Sequence, residues 1–303
     1  MSTSLSQVSA LKQSILAFTR AASTEVSTYD EAILGTLPQL LAQGTSIYVA
    51  HTPRATLDDV VRVALKIEAL GFRAFPHLAA RRIQDERKLR TALKQLSDGG
   101  ISRALLIAGD RNLPQGEFSD TLQVLDCGAL ADHGFQTLGV AGHPEGHPDI
   151  DEAVLRDALR RKNLYAQKTR TSVYIVTQFT FSAGPVIAWE VSHAGDIGLL
   201  PVTVGLPGLA TARTLLKYAV ECGIGASLKA FSKRYDSLTK LLTIARPDEM
   251  IVDLARYKEQ TPQSRIAGVH FFTFGGFERT AAWANQIAGG NFEVTEGGKL
   301  MLI

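Results

Sequence analysis

The sequence predicts a (β/α)8 barrel with extra helices, built as one domain over residues 1–303. Three observations carry this expectation. Eight short runs of strand character recur along the chain, many apolar on consecutive residues, as strands covered on both faces are. Segments with apolar residues at helical spacing lie between them. No linker, repeat or compositional break divides the chain. A doubly wound open sheet is the alternative, but it favours a glycine-rich turn after the first strand, and TEVSTYDEA has none.

The elements follow in order. Residues 1–8 read as a flexible polar tail leading into an amphipathic helix. The strand-like runs are ASTEVST around Glu25, SIYVAH (46–51), FRAFPH (72–77) and SRALLIAG (102–109). They continue with QTLGVAG (136–142), SVYIVTQF (172–179), LLPVTVG (199–205) and IAGVHFFTF (266–274). Leu57, Val60, Val61, Ala64 and Ile67 form one helical stripe. Leu89, Ala92, Leu93 and Leu96 form a second, closed by Gly99 and Gly100; Ala212, Leu215, Leu216 and Ala219 form a third. Residues 226–260 read as two or three further helices, with Pro247 suited to a helix first turn.

Composition excludes several function classes. Hydrophobic residues make up 45% and charged residues 20%, as in a soluble protein with a full core. A net charge of +2 gives no electrostatic reason to expect nucleic acid. The basic stretches RRIQDERKLR and RRKN read as solvated helix faces. Cys127 and Cys222 are too few for a disulfide framework or a Cys-rich zinc site. No leader and no apolar run of about 20 residues is present, so a cytoplasmic protein without membrane association is expected. There is no G-x-G-x-x-G and no P-loop.

In such a barrel chemistry gathers at the C-terminal strand ends. Those ends carry Glu25, His51, His77, Asp110, His143 with His147, Gln178 and the turn Leu206-Pro207. The spacing of His143 and His147 is interrupted by Pro144 and Gly146, so the pair is not a helix face. Nor does it form an H-x-x-E-H or H-E-x-x-H arrangement, and no metal site is expected. A loop bending around something flat or anionic suits it better, compatible with Asp149 or Asp151 capping the next helix.

These strand ends, taken together, resemble the flavin-containing catalytic barrel of 5,10-methylenetetrahydrofolate reductase. The matching pieces are STEVS, PHLA (76–79), LIAGD (106–110), HPEGHPD (143–149), IVTQF (175–179), VGLPG (204–208) and VHFFTF (269–274), in the family's order. The resemblance implies FAD as cofactor, NADH or NADPH as electron donor, a tetrahydrofolate derivative as substrate and a homo-oligomer. It places His77, Ile107, Ala108, Gly109, Asp110, His143 and His147 on the cofactor. Counting back from Gln178 adds Arg160, Asn163 and Gln167, one helix face, with Lys168 as substitute if the register slips by one. Glu25, Asp110 and Gln178 become the catalytic residues, and these three with Leu206 the substrate contacts. Glu25 is the expected acid, since a carboxyl in a desolvated strand end can hold a proton and deliver it.

The chain departs from the family pattern at named places. Ala108 replaces an arginine, His143 replaces an aromatic, and residues 208–211 lack a phenylalanine. GGFER stands where an asparagine-arginine pair is usual, leaving Arg279 as the candidate folate-tail contact. The competing expectations are a folate-dependent methyltransferase working without flavin and a folate-binding barrel without catalysis.

Overall fold

The computed structural model describes residues 5–110, 113–295 and 298–303. Eight parallel strands close into a barrel in chain order. They are β1 (Ser23–Ser27), β2 (Ser46–Ala50), β3 (Arg73–Ala79), β4 (Arg103–Ile107), β5 (Thr137–Gly142), β6 (Ser172–Thr177), β7 (Val202–Pro207) and β8 (Ile266–Phe272). Each overlaps one of the apolar runs, and β1 pairs with β8 to complete the ring. The fold is therefore a (β/α)8 barrel.

Alternation along the strands separates two cores. Val26, Val49, Ala74, Leu106, Ile175, Val204 and Phe271 face outward into the layer shared with the helices. Tyr48, Phe75, Leu105 and Val176, with Ile107 and Tyr174 beside them, form a separate cluster inside the barrel. Tyr48 stacks on Phe75 at 4.8 Å between ring centres. The guanidinium groups of Arg73 and Arg103 lie 5.8 and 5.7 Å from the centre of the Phe75 ring, and Arg103 pairs with Glu68. Arg73 and Arg103 begin their strands at the N-terminal end of the lumen, while Ile107 and Val176 carry the same cluster up toward the C-terminal strand ends.

The helices follow their sequence signals. Thr56 and Asp59 form a reciprocal cap on the helix Leu57–Ala69, and Asp85 caps Glu86–Asp98. The first helix, Leu5–Arg20, begins inside the segment expected to be a tail. It packs Leu11, Ile15, Leu16 and Phe18 into the outer core, and that burial outweighs the polarity of its first turn. Residues 226–260 hold the helices Ala226–Arg234, Leu238–Leu241 and Asp248–Gln260, with Pro247 at the N-cap of the last. Among the described residues no helix is long and apolar enough to cross a membrane.

Candidate active site

The floor of the mouth is made by β1, β2, β3 and β8. Glu25 lies on the inward face of β1, its side chain 14% exposed, with Oε2 3.8 Å from Nε2 of His270. Nδ1 of His270 is 2.9 Å from the Ser23 hydroxyl. The edge of the His77 ring lies against Tyr48, at 5.9 Å between centres. Burial, followed by the nearby His270 and His51, pushes His77 down to about 3, so it stands neutral at ordinary pH. Nε2 of both His77 and His270 is buried without a hydrogen-bond partner. Both nitrogens of His51 are buried without a partner as well, and buried polar atoms are nearly always satisfied, so this end of the barrel holds unused hydrogen-bonding capacity.

Beyond β4 the backbone turns sharply. Ile107 packs on the inner cluster, and the Ala108 carbonyl accepts from the Arg81 N–H at 3.0 Å. Gly109 has φ +92°, and a Cβ there would sit 3.2 Å from that of Ala79, so glycine is required for the close approach. Asp110 accepts from Nε and Nη2 of Arg82 at 2.9 and 2.5 Å, while Nη1 reaches the Pro53 carbonyl at 2.8 Å. The Arg82 side chain is 4% exposed and that of Asp110 is 50% exposed. A cation therefore meets Asp110 even though position 108 is alanine, and it comes from the loop after β3. Sequence reasoning missed Arg82 because its partner is 28 residues away. His51 is buried after β2, and burial together with Arg82 pushes it down to about 4.

The loop after β5 opens with a tight turn, the Gly146 N–H donating to the His143 carbonyl at 3.0 Å with Gly146 at φ +78°. This brings the two imidazoles edge to face at 5.5 Å. Glu145 points the other way. Its carboxylate accepts from the N–H groups of Gly225 and Ser227, at 2.9 and 3.1 Å, and from the Ser227 hydroxyl. It thus ties the loop to the start of the helix Ala226–Arg234. Burial, Lys162 and His147 push His143 down to about 4. His147 is lowered as well, by burial and by Arg81, with Asp149 opposing.

Asn163 and Gln167 do not reach this mouth. Their helix, Glu152–Thr169, starts after β5 and descends to the N-terminal end of β6. Asn163 lies against Gly198, ahead of β7, and accepts from Gln167 at 3.4 Å. Arg160 bonds to Asp157 and Asp196 on the outer surface, and Lys168 is exposed. The residue on the inner face is Lys162, 6% exposed, with no hydrogen bond among the described residues. Burial pushes its ammonium down to about 8, with Asp120 opposing. The expected face is thus rotated by one residue.

Across the mouth, Gln178 follows Val176 at inward parity. Its carbonyl oxygen accepts from the Phe179 N–H at 3.1 Å, leaving its NH2 available. Leu206 is fully buried in the outer core with Val202 and Val204, so it is not a substrate contact; the inward positions of β7 are Gly205 and Pro207. Aromatic rings instead come from β8 and its loop. Phe272 stands perpendicular to His270 at 4.8 Å, and Phe274 stacks on Tyr218 at 4.6 Å. Phe274 has φ +46°, a left-handed conformation that costs a bulky residue energy and that its packing against Tyr218 and Phe179 sustains. The run HFFTF was the available signal. Arg279 is exposed on the helix Phe277–Ala288.

No protein-family model matches the chain. Among solved structures, an uncharacterized protein from Clostridium thermocellum that binds two copies of 5-methyl-5,6,7,8-tetrahydrofolic acid superposes with a TM-score of 0.57. It is 13% identical, over 92% of this chain and 99% of that one. The probable 3-DHS dehydratase AsbF involved in the petrobactin synthesis from Bacillus anthracis aligns over 87% of this chain and 97% of its own, at 12% identity and a TM-score of 0.34. The likeness to the first of these is one of fold.

Proposed function

We propose that this barrel binds a reduced folate at its C-terminal mouth and interconverts 5,10-methylenetetrahydrofolate and 5-methyltetrahydrofolate with FAD and a nicotinamide donor. The observation that carries the reading is the set of unsatisfied polar groups gathered at one barrel end. The Glu25 carboxyl, the Gln178 amide and the orphaned Nε2 of His77 could pair with the edges of a pterin or flavin ring. The folate-binding barrel of the same fold supports the substrate class.

The residues present fit FAD in two respects. Lys162, 6% exposed and close enough to His143 to act on it, offers a cation with no hydrogen bond among the described residues, which a diphosphate could engage. The left-handed turn at Gly109, packed against Ala79, ends β4 at the mouth and sets Ile107 and Ala108 beside the space a flat ring would take. When bound, FAD supplies hydride transfer between nicotinamide and folate. The chain supplies the remainder. Glu25 gives a proton to the nitrogen that leaves the methylene bridge, the C–N electron pair staying on that nitrogen. Asp110, held by Arg82, orients the pterin, and Gln178 donates to a ring carbonyl. Phe272 and Phe274 offer a stacking wall that residues 208–211 do not provide.

Calorimetry with 5-methyltetrahydrofolate tests the substrate class. Wild type and Glu25→Gln should both bind, Gln178→Ala should bind about tenfold more weakly, and Glu25→Gln should lose turnover. Undiminished turnover by Glu25→Gln would remove the assigned acid.

A further inference from the structure

We propose that His270 is the positioning partner of Glu25, stabilising the carboxylate that remains once Glu25 has given up its proton. This rests on the reading of Glu25 as the acid. The two residues sit on adjacent strands, and Ser23 of β1 is in register with His270 of β8. His270 is fully buried between Tyr48, whose ring centre is 4.5 Å away, and Phe272 at 4.8 Å. That clamp leaves the imidazole little freedom to swing, and the Ser23 hydroxyl on Nδ1 decides which edge points up. The edge pointing up is Nε2, buried, without a partner, and facing the Glu25 carboxyl across 3.8 Å. The carboxyl makes no hydrogen bond among the described residues. A small rotation about the Glu25 side chain closes that gap to about 2.8 Å, the length of a charge-assisted bond.

The surroundings exclude the competing uses of this imidazole. No grouping of three ligands for a metal occurs among the described residues. The groups packed around it are Ser23 and Glu25 from β1, Tyr48 from β2, His77 from β3 and Phe272 from β8, with Tyr174 of β6 behind Tyr48 and Cys222 near Glu25. Tyr48 bonds to the Tyr174 hydroxyl at 2.5 Å and lies within reach of Ser23; burial raises both phenols, so they remain protonated. Among the described residues, Glu25 is thus the carboxylate that faces the ring. The required state follows. Ser23 donates its hydroxyl hydrogen to Nδ1, the ring hydrogen that faces Glu25 sits on Nε2, and that N–H donates to the carboxylate after the proton has passed to the folate nitrogen. Solvent reprotonates Glu25 after product leaves.

Nitrogen-15 spectra of the histidine-labelled full chain test this without any assay of turnover. Wild-type His270 should show the tautomer with hydrogen on Nε2, and Ser23→Ala should mix the two tautomers. Hydrogen on Nδ1 in the wild type, or an unchanged tautomer in Ser23→Ala, would overturn the proposal even in a protein that turns over folate. In the folate assay, His270→Phe and Ser23→Ala should lower kcat about 10- to 100-fold with KM unchanged and with reduction of bound flavin by the nicotinamide unaffected. Equal losses in both half-reactions would make His270 merely structural. A wild type that neither binds flavin nor turns over folate would fail the functional reading and leave the tautomer result to decide on His270.

Discussion

Replacing Glu145 by alanine should loosen the loop that carries His143 and His147 without disturbing the barrel beneath it. Glu145 holds two backbone N–H groups and one hydroxyl of the segment 225–227, and Pro148 presses on Gly223 so closely that a Cβ there would lie 2.7 Å from its Cδ. Hydrogen bonds to an ionised acceptor contribute about 1.5–3 kcal/mol each when buried. The carboxylate is half-buried and its donors can rehydrate, so about 1 kcal/mol each, or about 2–3 kcal/mol in all, is the reasonable figure. At 1.4 kcal/mol per factor of ten, opening of this contact becomes about 30- to 150-fold more frequent. Amide hydrogen exchange reads it directly. The Gly225 and Ser227 amides should exchange faster by that factor, while the Gln178 amide, bonded to the Gly142 carbonyl at 2.8 Å, should not change. Glu145→Gln, which keeps one acceptor, should fall between. Exchange of the two amides within about threefold of wild type would refute the tether.

Other consequences are equally open to measurement. Lys162 has a folded-state value of about 8 against an ordinary 10.5, so the unfolded chain binds more protons in that window and stability rises with pH across it. Lys162→Met should therefore gain about 2–3 kcal/mol at pH 7, lose that rise in denaturant titrations, and bind FAD more weakly. His51, His77 and His143 are depressed to about 4, 3 and 4, so stability should fall as pH drops from 6.5 through about 4. The slope has an upper limit of about 4 kcal/mol per pH unit, and His143→Gln should remove up to a third of it. Arg170 is exposed at φ +57° just past the helix Glu152–Thr169. Arg170→Gly should stabilise by about 1 kcal/mol, a rise in Tm of about 2 °C.

The barrel was legible because doubly covered strands announce themselves as consecutive apolar residues, and eight such runs have few ways to close. The same property hid the parity of β7. VTVGLP is apolar on both faces, so nothing in it says that Leu206 turns outward while Pro207 turns in. The helix Glu152–Thr169 failed differently: a face read by counting is correct only to about one residue, and one residue is 100° of rotation, enough to exchange Asn163 for Lys162. Arg82, Glu145 and Ser23 were beyond reach because their roles lie in partners 28, about 80 and 247 residues away. Polar residues at the strand ends could be read locally; the partners that hold them in place could not.

An absorption spectrum of the full chain, incubated with FAD and freed of excess, separates flavin-dependent reduction from its rivals. On the flavin-dependent reading, flavin bands are retained, bleach anaerobically with NADH or NADPH, and return when 5,10-methylenetetrahydrofolate is added. A protein that keeps no flavin yet binds methyltetrahydrofolate would contradict it and assign the mouth to a flavin-independent methyltransferase or a folate-binding barrel.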